Sequence, residues 1–125
     1  MTKFELIIKK IIKRHPGKVC INVNNTDYTF KELFLISNYY ISILNKKTSH
    51  TDKILIKSNK KIEVVSLMLA CLRKGIAYTN IDIDTPKTRL ENILKRLKPK
   101  LIFSENKMRT KLHVENIILK NKKKK

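Results

Sequence analysis

Residues 53–83, KILIKSNKKIEVVSLMLACLRKGIAYTNIDI, decide the fold. Ile54, Leu55 and Ile56 form a short apolar run, followed by Ser58 and Asn59. Both of those residue types favour helix starts, because their side chains accept backbone N–H groups that a first helical turn leaves unpaired. From Ile62 to Leu72 apolar residues cover most of a helix circumference, which marks a helix buried on more than one side. Leu69 and Leu72 are expected to face the sheet. Gly75 stands where a left-handed C-terminal cap is wanted, just past Arg73 and Lys74, whose charges suit a helix C-terminus. Ile76–Ile83 is the next apolar run. Strand, helix and strand at this length form a βαβ unit, so the two strands should run parallel with a right-handed crossover.

On the N-terminal side, Phe4, Ile7, Ile8, Ile11 and Ile12 recur at helical spacing, predicting a helix over 3–14 that His15-Pro16-Gly17 stops. Val19–Val23 alternates and predicts a strand. Asn24-Asn25-Thr26-Asp27 is turn chemistry, with Tyr28-Thr29 as the returning arm of a hairpin. Thr29 with Glu32 three residues on is a capping-box pattern, opening a helix over 30–46 with Leu33, Ile36, Tyr40, Ile41 and Leu44 inward. On the C-terminal side, Thr85 reads as an N-cap and Pro86 as the first residue of a helix over 86–97, with Leu90, Ile93, Leu94 and Leu97 inward. Further strands are expected near 101–104 and 116–119. The whole is an α/β unit over 1–119, a mostly parallel sheet with βαβ crossovers. Residues 120–125 are expected to be a disordered Lys-rich tail.

The chain has 125 residues, 29 of them basic and 10 acidic, for a net charge of +19. Such a balance can mark a nucleic-acid binder. The basic residues are spread along the chain, however, and only the final KNKKKK is a charge run. Abundant Lys, Ile and Asn is also what an AT-rich coding sequence yields. A specific nucleic-acid partner is therefore not expected. No apolar run is long enough to span a bilayer, so no membrane partner is expected either. Cys20 and Cys71 lie in apolar segments and read as free thiols of a reducing compartment, hence a cytoplasmic location. His15, His50 and His113 show no ligand spacing.

No catalytic constellation emerges. Glycine occurs only at 17 and 75, so no Gly-rich phosphate cradle can be built from these residues. Asp82 and Asp84 flank Ile83 at strand spacing and would share a face at the C-terminal end of a parallel strand, where open α/β sheets place ligands. They could hold a metal or a ribose. The plainer reading is a solvated loop that helps start the next helix, and it is preferred. No catalytic, cofactor-binding or metal-ligating residue is assigned.

The stretches YTFKELFLISNYYISIL and KIEVVSLMLACLRKGIAYTNIDIDTPKTRLENIL resemble the opening of the adenylate-forming enzymes (AMP-dependent synthetases and ligases). Among these they are most similar to the amino-acid adenylation domains of nonribosomal peptide synthetases. The resemblance rests on Tyr28, Thr29, Glu32 and Leu33 at a helix start, with Asn38 on the same helix. It continues with Leu72, Gly75, Ala77, Tyr78 and Asp82, then with Pro86, Arg89 and Leu90 at the next helix start. It covers roughly residues 4–119. Asn80 stands where the family has a proline, and Lys74 where it has an alanine. The resemblance implies a partial N-terminal subdomain of the adenylate-forming fold, with the motif residues serving structure.

Members use ATP and magnesium to turn a carboxylate into an acyl-adenylate and pass it to a thiol. The phosphate loop, the ribose-binding aspartate and the C-terminal lysine of such enzymes match nothing in these 125 residues. The resemblance therefore implies an N-terminal fragment that holds no cofactor and is not catalytically competent alone. Its expected partner is the remainder of the ligase as a separate chain. A frameshift at the lysine codons is one expected origin. Two alternatives stand beside this: a protein-binding module or split-ligase half that docks by its sheet edge, and a basic nucleic-acid binder.

Overall fold

A computed structural model describes residues 2–59 and 61–119. In chain order the elements are α1 (Lys3–Arg14), β1 (Val19–Val23), β2 (Thr26–Thr29), α2 (Phe30–Lys47), β3 (Lys53–Lys57), α3 (Ile62–Lys74), β4 (Ala77–Ile81), α4 (Lys87–Leu97), β5 (Leu101–Ser104) and β6 (Glu115–Ile118). β1 and β2 form an antiparallel hairpin; the other four strands form one sheet in the order β4-β3-β5-β6, parallel at every pairing. The expected Lys-rich tail lies outside the described residues.

The strand order follows from the two crossovers. β3 leads through α3 to β4 on one side; β4 leads through α4 back past β3 to β5 on the other. Two right-handed crossovers in opposite directions must place their helices on opposite faces. The core divides accordingly. Ile54 and Ile56 of β3 and Leu101 and Phe103 of β5 face α2 and α3, packing with Leu33, Ile36, Tyr40, Leu44, Leu67 and Cys71. Leu55 and Ile102, the alternate positions, face α4 and pack with Leu90 and Leu94. With both faces covered, these strands read as continuous apolar runs.

Local chemistry sets the boundaries. Asn24 and Asn25 both adopt positive φ, 52° and 65°, which is the two-residue hairpin turn that matches strand twist, so β2 begins already at Thr26. The Thr29 hydroxyl accepts from the Glu32 N–H at 3.1 Å, and the Glu32 carboxylate accepts from the Thr29 N–H at 2.9 Å. Gly75 adopts φ 73° and closes α3, its N–H and that of Ile76 returning to the Leu72 and Cys71 carbonyls.

Three expectations are corrected. Leu72 does not face the sheet: it is 48% exposed, and Leu69 is only half-buried. The inner stripe of α3 is Val64, Leu67, Ala70 and Cys71. A helix apolar nearly all round gives no phase, so its sequence could not say which side is inner. Ser58 and Asn59 do not cap α3, whose N-cap is Lys61 without a side-chain capping bond. Thr85 does not cap α4 either; Pro86 holds that place, and the Thr85 hydroxyl donates to the Asp82 carbonyl at 2.7 Å.

Candidate functional site

Open α/β sheets bind ligands beyond the carboxyl ends of their strands, where neighbouring strands send their connections to opposite faces. Here that point lies between β3 and β5. β3 turns into α3 on one face; the chain leaving β5 runs over the other, where Met108 and Val114 pack on the α4 core.

Glu105 stands there, one residue past β5. Its carboxylate accepts from the Ser58 hydroxyl at 2.6 Å, from the Asn59 N–H at 3.4 Å and from the Lys61 ammonium at 2.9 Å. These donors, the Ser58 hydroxyl first, hold the Glu105 carboxyl below the usual carboxylate range. The Ser58 hydroxyl and the Asn59 backbone N–H thus serve Glu105, and both residues precede the N-cap of α3, Lys61. Beside them the Lys57 ammonium donates to the Ile83 carbonyl at 2.6 Å, closing the β4 loop onto the end of β3. A small recess of about 120 Å³ lies between Lys57, Ile83, Glu105 and Met108. An ionised carboxylate with three donors already on it is a clasp between strand ends and a poor proton acceptor for substrate.

Asp82 and Asp84 do not share a strand face. β4 ends at Ile81, residues 83 and 84 form a turn, and both carboxylates are exposed. Among the described residues no three His, Cys, Asp or Glu side chains gather as a metal site.

The motif residues fall into three places. Tyr28, Thr29, Glu32 and Leu33 join the hairpin to α2, with Tyr28 and Leu33 buried. Asn38, Leu72, Gly75, Ala77 and Tyr78 surround the end of α3 and the start of β4; Tyr78 packs on the larger core. Asp82, Pro86, Arg89 and Leu90 mark the β4–α4 turn, where Leu90 alone is buried.

At the second of these places lies a cluster that sequence reasoning missed. Arg73 is 6% exposed. Its guanidinium meets both Glu5 carboxylate oxygens, Nε to Oε1 at 2.6 Å and Nη2 to Oε2 at 2.8 Å. Nη1 donates to the Ser37 hydroxyl at 2.7 Å and the Asn38 side-chain oxygen at 2.8 Å, and the guanidinium carbon lies 3.8 Å from the Phe34 ring centroid. The Arg73 carbonyl accepts from the Thr2 hydroxyl at 3.1 Å, while that same hydroxyl caps α1 through the Glu5 N–H. Arg73 and Thr2 thereby fasten α1, α2 and α3 together. The Arg73 hydrogen bonds hold the Glu5 carboxyl below its ordinary value despite burial. The available signal was Glu5 as the sole acid of a basic helix and an arginine, suited to bidentate pairing, before Gly75.

Residues 8–125 match the model of the AMP-binding enzyme family. The chain belongs to that family. Tyrocidine synthase 1 of Brevibacillus parabrevis is 31% identical over 99 residues, which are 78% of this chain and 9% of that protein. Among solved structures, the artificially fused adenylation–PCP di-domain NpsA-ThdA from Klebsiella oxytoca superposes with a TM-score of 0.79 at 18% identity, over 92% of this chain and 22% of that one. The Klebsiella oxytoca NpsA N-terminal subdomain gives 0.76 at 17%, over 91% and 30%. The chain thus spans a small share of each protein it matches, and corresponds to part of the N-terminal subdomain of an adenylation domain. No helix among the described residues is long and apolar enough to cross a membrane.

Proposed function

We propose that these 125 residues form the scaffold corner of an amino-acid adenylation domain, and that alone they neither bind Mg-ATP specifically nor make an acyl-adenylate. The observation that carries this reading is the occupied switch point. A triphosphate needs converging N–H donors and cations. At the carboxyl ends of β3 and β5 the nearby donors converge instead on Glu105, and the chain has no glycine-rich loop. An ionised carboxylate there repels phosphate. Activity then requires the remainder of the fold, in the same polypeptide or as a separate chain. The free thiols Cys20 and Cys71 support a reducing compartment such as the cytoplasm.

A second reading, a docking module, is favoured by the outer edge of β4, which has no strand partner among the described residues. Calorimetry with Mg-ATP at physiological salt, run beside carboxylate-dependent pyrophosphate exchange, tests the first reading. No saturable binding and no exchange are expected. Saturable micromolar binding with exchange overturns it; weak binding that fades with salt reflects net charge alone.

A further inference from the structure

Basic residues that are scattered in sequence gather around one trough in space. α4 presents Lys87 and Lys95 along one flank with Lys98 just past its end, and residues 111–114 run beside it. Two recesses of about 490 and 360 Å³ lie end to end there and share Lys95 and Leu112. The floor is aliphatic: Leu112, 38% exposed, with Pro99 and Val114. The rim is cationic: Lys87, Lys95, Lys98 and Lys111. The one carboxylate in the trough, Glu91, accepts from the Lys111 N–H at 3.2 Å and pins the segment to the helix. Among the described residues none of those four lysines is in an ion pair.

We infer that this trough docks an acidic amphipathic segment of a protein partner, apolar side chains on Leu112 and carboxylates on the lysine rim. At 1.5 Å per residue Lys87 and Lys98 stand about 16 Å apart, the length of three helical turns of a partner. The charge selects among occupants. A second copy brings the same lysines and is repelled, and so is the chain's own Lys-rich end. A nucleic acid would use the rim but not an aliphatic floor, and the trough's one ring is the His113 imidazole, with no Phe, Tyr or Trp lining it for base stacking. The inference is independent of the adenylation reading.

The test is fluorescence anisotropy on the full chain with a labelled peptide carrying a leucine stripe flanked by glutamates, at physiological ionic strength. Saturable binding is expected. Lys95→Glu with Lys111→Glu should weaken it by about tenfold or more. Leu112→Ser keeps every charge and should weaken it by about fivefold through lost apolar contact. Lys10→Glu with Lys13→Glu changes net charge equally on exposed α1 positions and should alter it by less than about twofold. Absence of binding, equal loss in the α1 variant, indifference to Leu112→Ser, or tighter binding of a thymidine oligonucleotide that displaces the peptide would each overturn the inference.

Discussion

Glu5→Gln tests whether the Arg73 cluster holds the helical layer together. The substitution keeps volume and one acceptor oxygen but removes the charge opposite a guanidinium that is 6% exposed. Of the two charge-assisted bonds, at 2.6 and 2.8 Å, one loses its acceptor because an amide nitrogen only donates, and the other is left on a neutral oxygen. Breaking a buried pair by removing one partner costs about 3–5 kcal/mol, mostly because the other charge stays buried. Ser37, Asn38 and the Phe34 ring remain on Arg73, so the lower end, about 3 kcal/mol, is expected. For a domain whose total stability is about 5–15 kcal/mol that is a large share. In urea, with an m-value of about 2 kcal/mol/M, the midpoint followed by far-ultraviolet circular dichroism should fall by about 1.5 M.

A double variant separates attraction from stranded charge. Arg73→Met with Glu5→Leu removes both charges, and the Ser37 hydroxyl keeps its bond to the Phe34 carbonyl at 2.7 Å. The double variant should be more stable than Glu5→Gln alone. A Glu5→Gln midpoint unchanged within about 0.3 M would show that the pair is incidental to stability.

Acid should act through the same groups. Glu5 and Glu105 both have folded-state values held below the ordinary 4.5, so their contribution is full above that value and is lost as pH falls through the lowered one. Urea titrations should therefore show the gap between the natural chain and Glu5→Gln closing below about pH 4.5; a gap constant down to pH 2 would refute the assignment. Leu94→Ala, at a fully buried site under the sheet, should cost about 2–5 kcal/mol, whereas Leu72→Ala should stay within about 0.5 kcal/mol by the same denaturation assay. With a thiol reagent at pH 8, Cys20, exposed although partial burial raises its thiol, should react first. Cys71, buried and with its thiol pushed up to about 12, should react only on unfolding.

The parts of this fold legible in sequence are those set by neighbours in the chain. The capping box at Thr29 and Glu32 and the Gly75 cap depend on residues a few positions apart, and the βαβ order of residues 53–83 on one continuous stretch of chain. The parts that were not legible depend on partners brought together by the fold. Glu5 and Arg73 are 68 residues apart, and Ser58 and Glu105 are 47 apart. Ser58 and Asn59 show how the two kinds of information compete. Locally they are good helix caps; in the folded chain the Ser58 hydroxyl and the Asn59 backbone N–H donate to Glu105, just past β5, and α3 begins later without a side-chain cap. Leu72 fails for a different reason, since apolarity around a whole helix carries no orientation.

That competition also bears on chemistry. A turn after the first strand of a βαβ unit is where a phosphate cradle would be built, from free N–H groups at a helix start. Here the same turn is drawn onto Glu105, and the Lys61 charge with it. Glu105→Gln would keep the side-chain shape and an acceptor oxygen for Ser58 and Asn59 but turn an amide NH2 toward Lys61, releasing one cation at the sheet's carboxyl edge. If the clasp is what keeps anions away, inorganic phosphate should bind the variant more tightly than the natural chain in a calorimetric titration. Equal binding by both would place the exclusion elsewhere, in the missing glycine-rich loop alone.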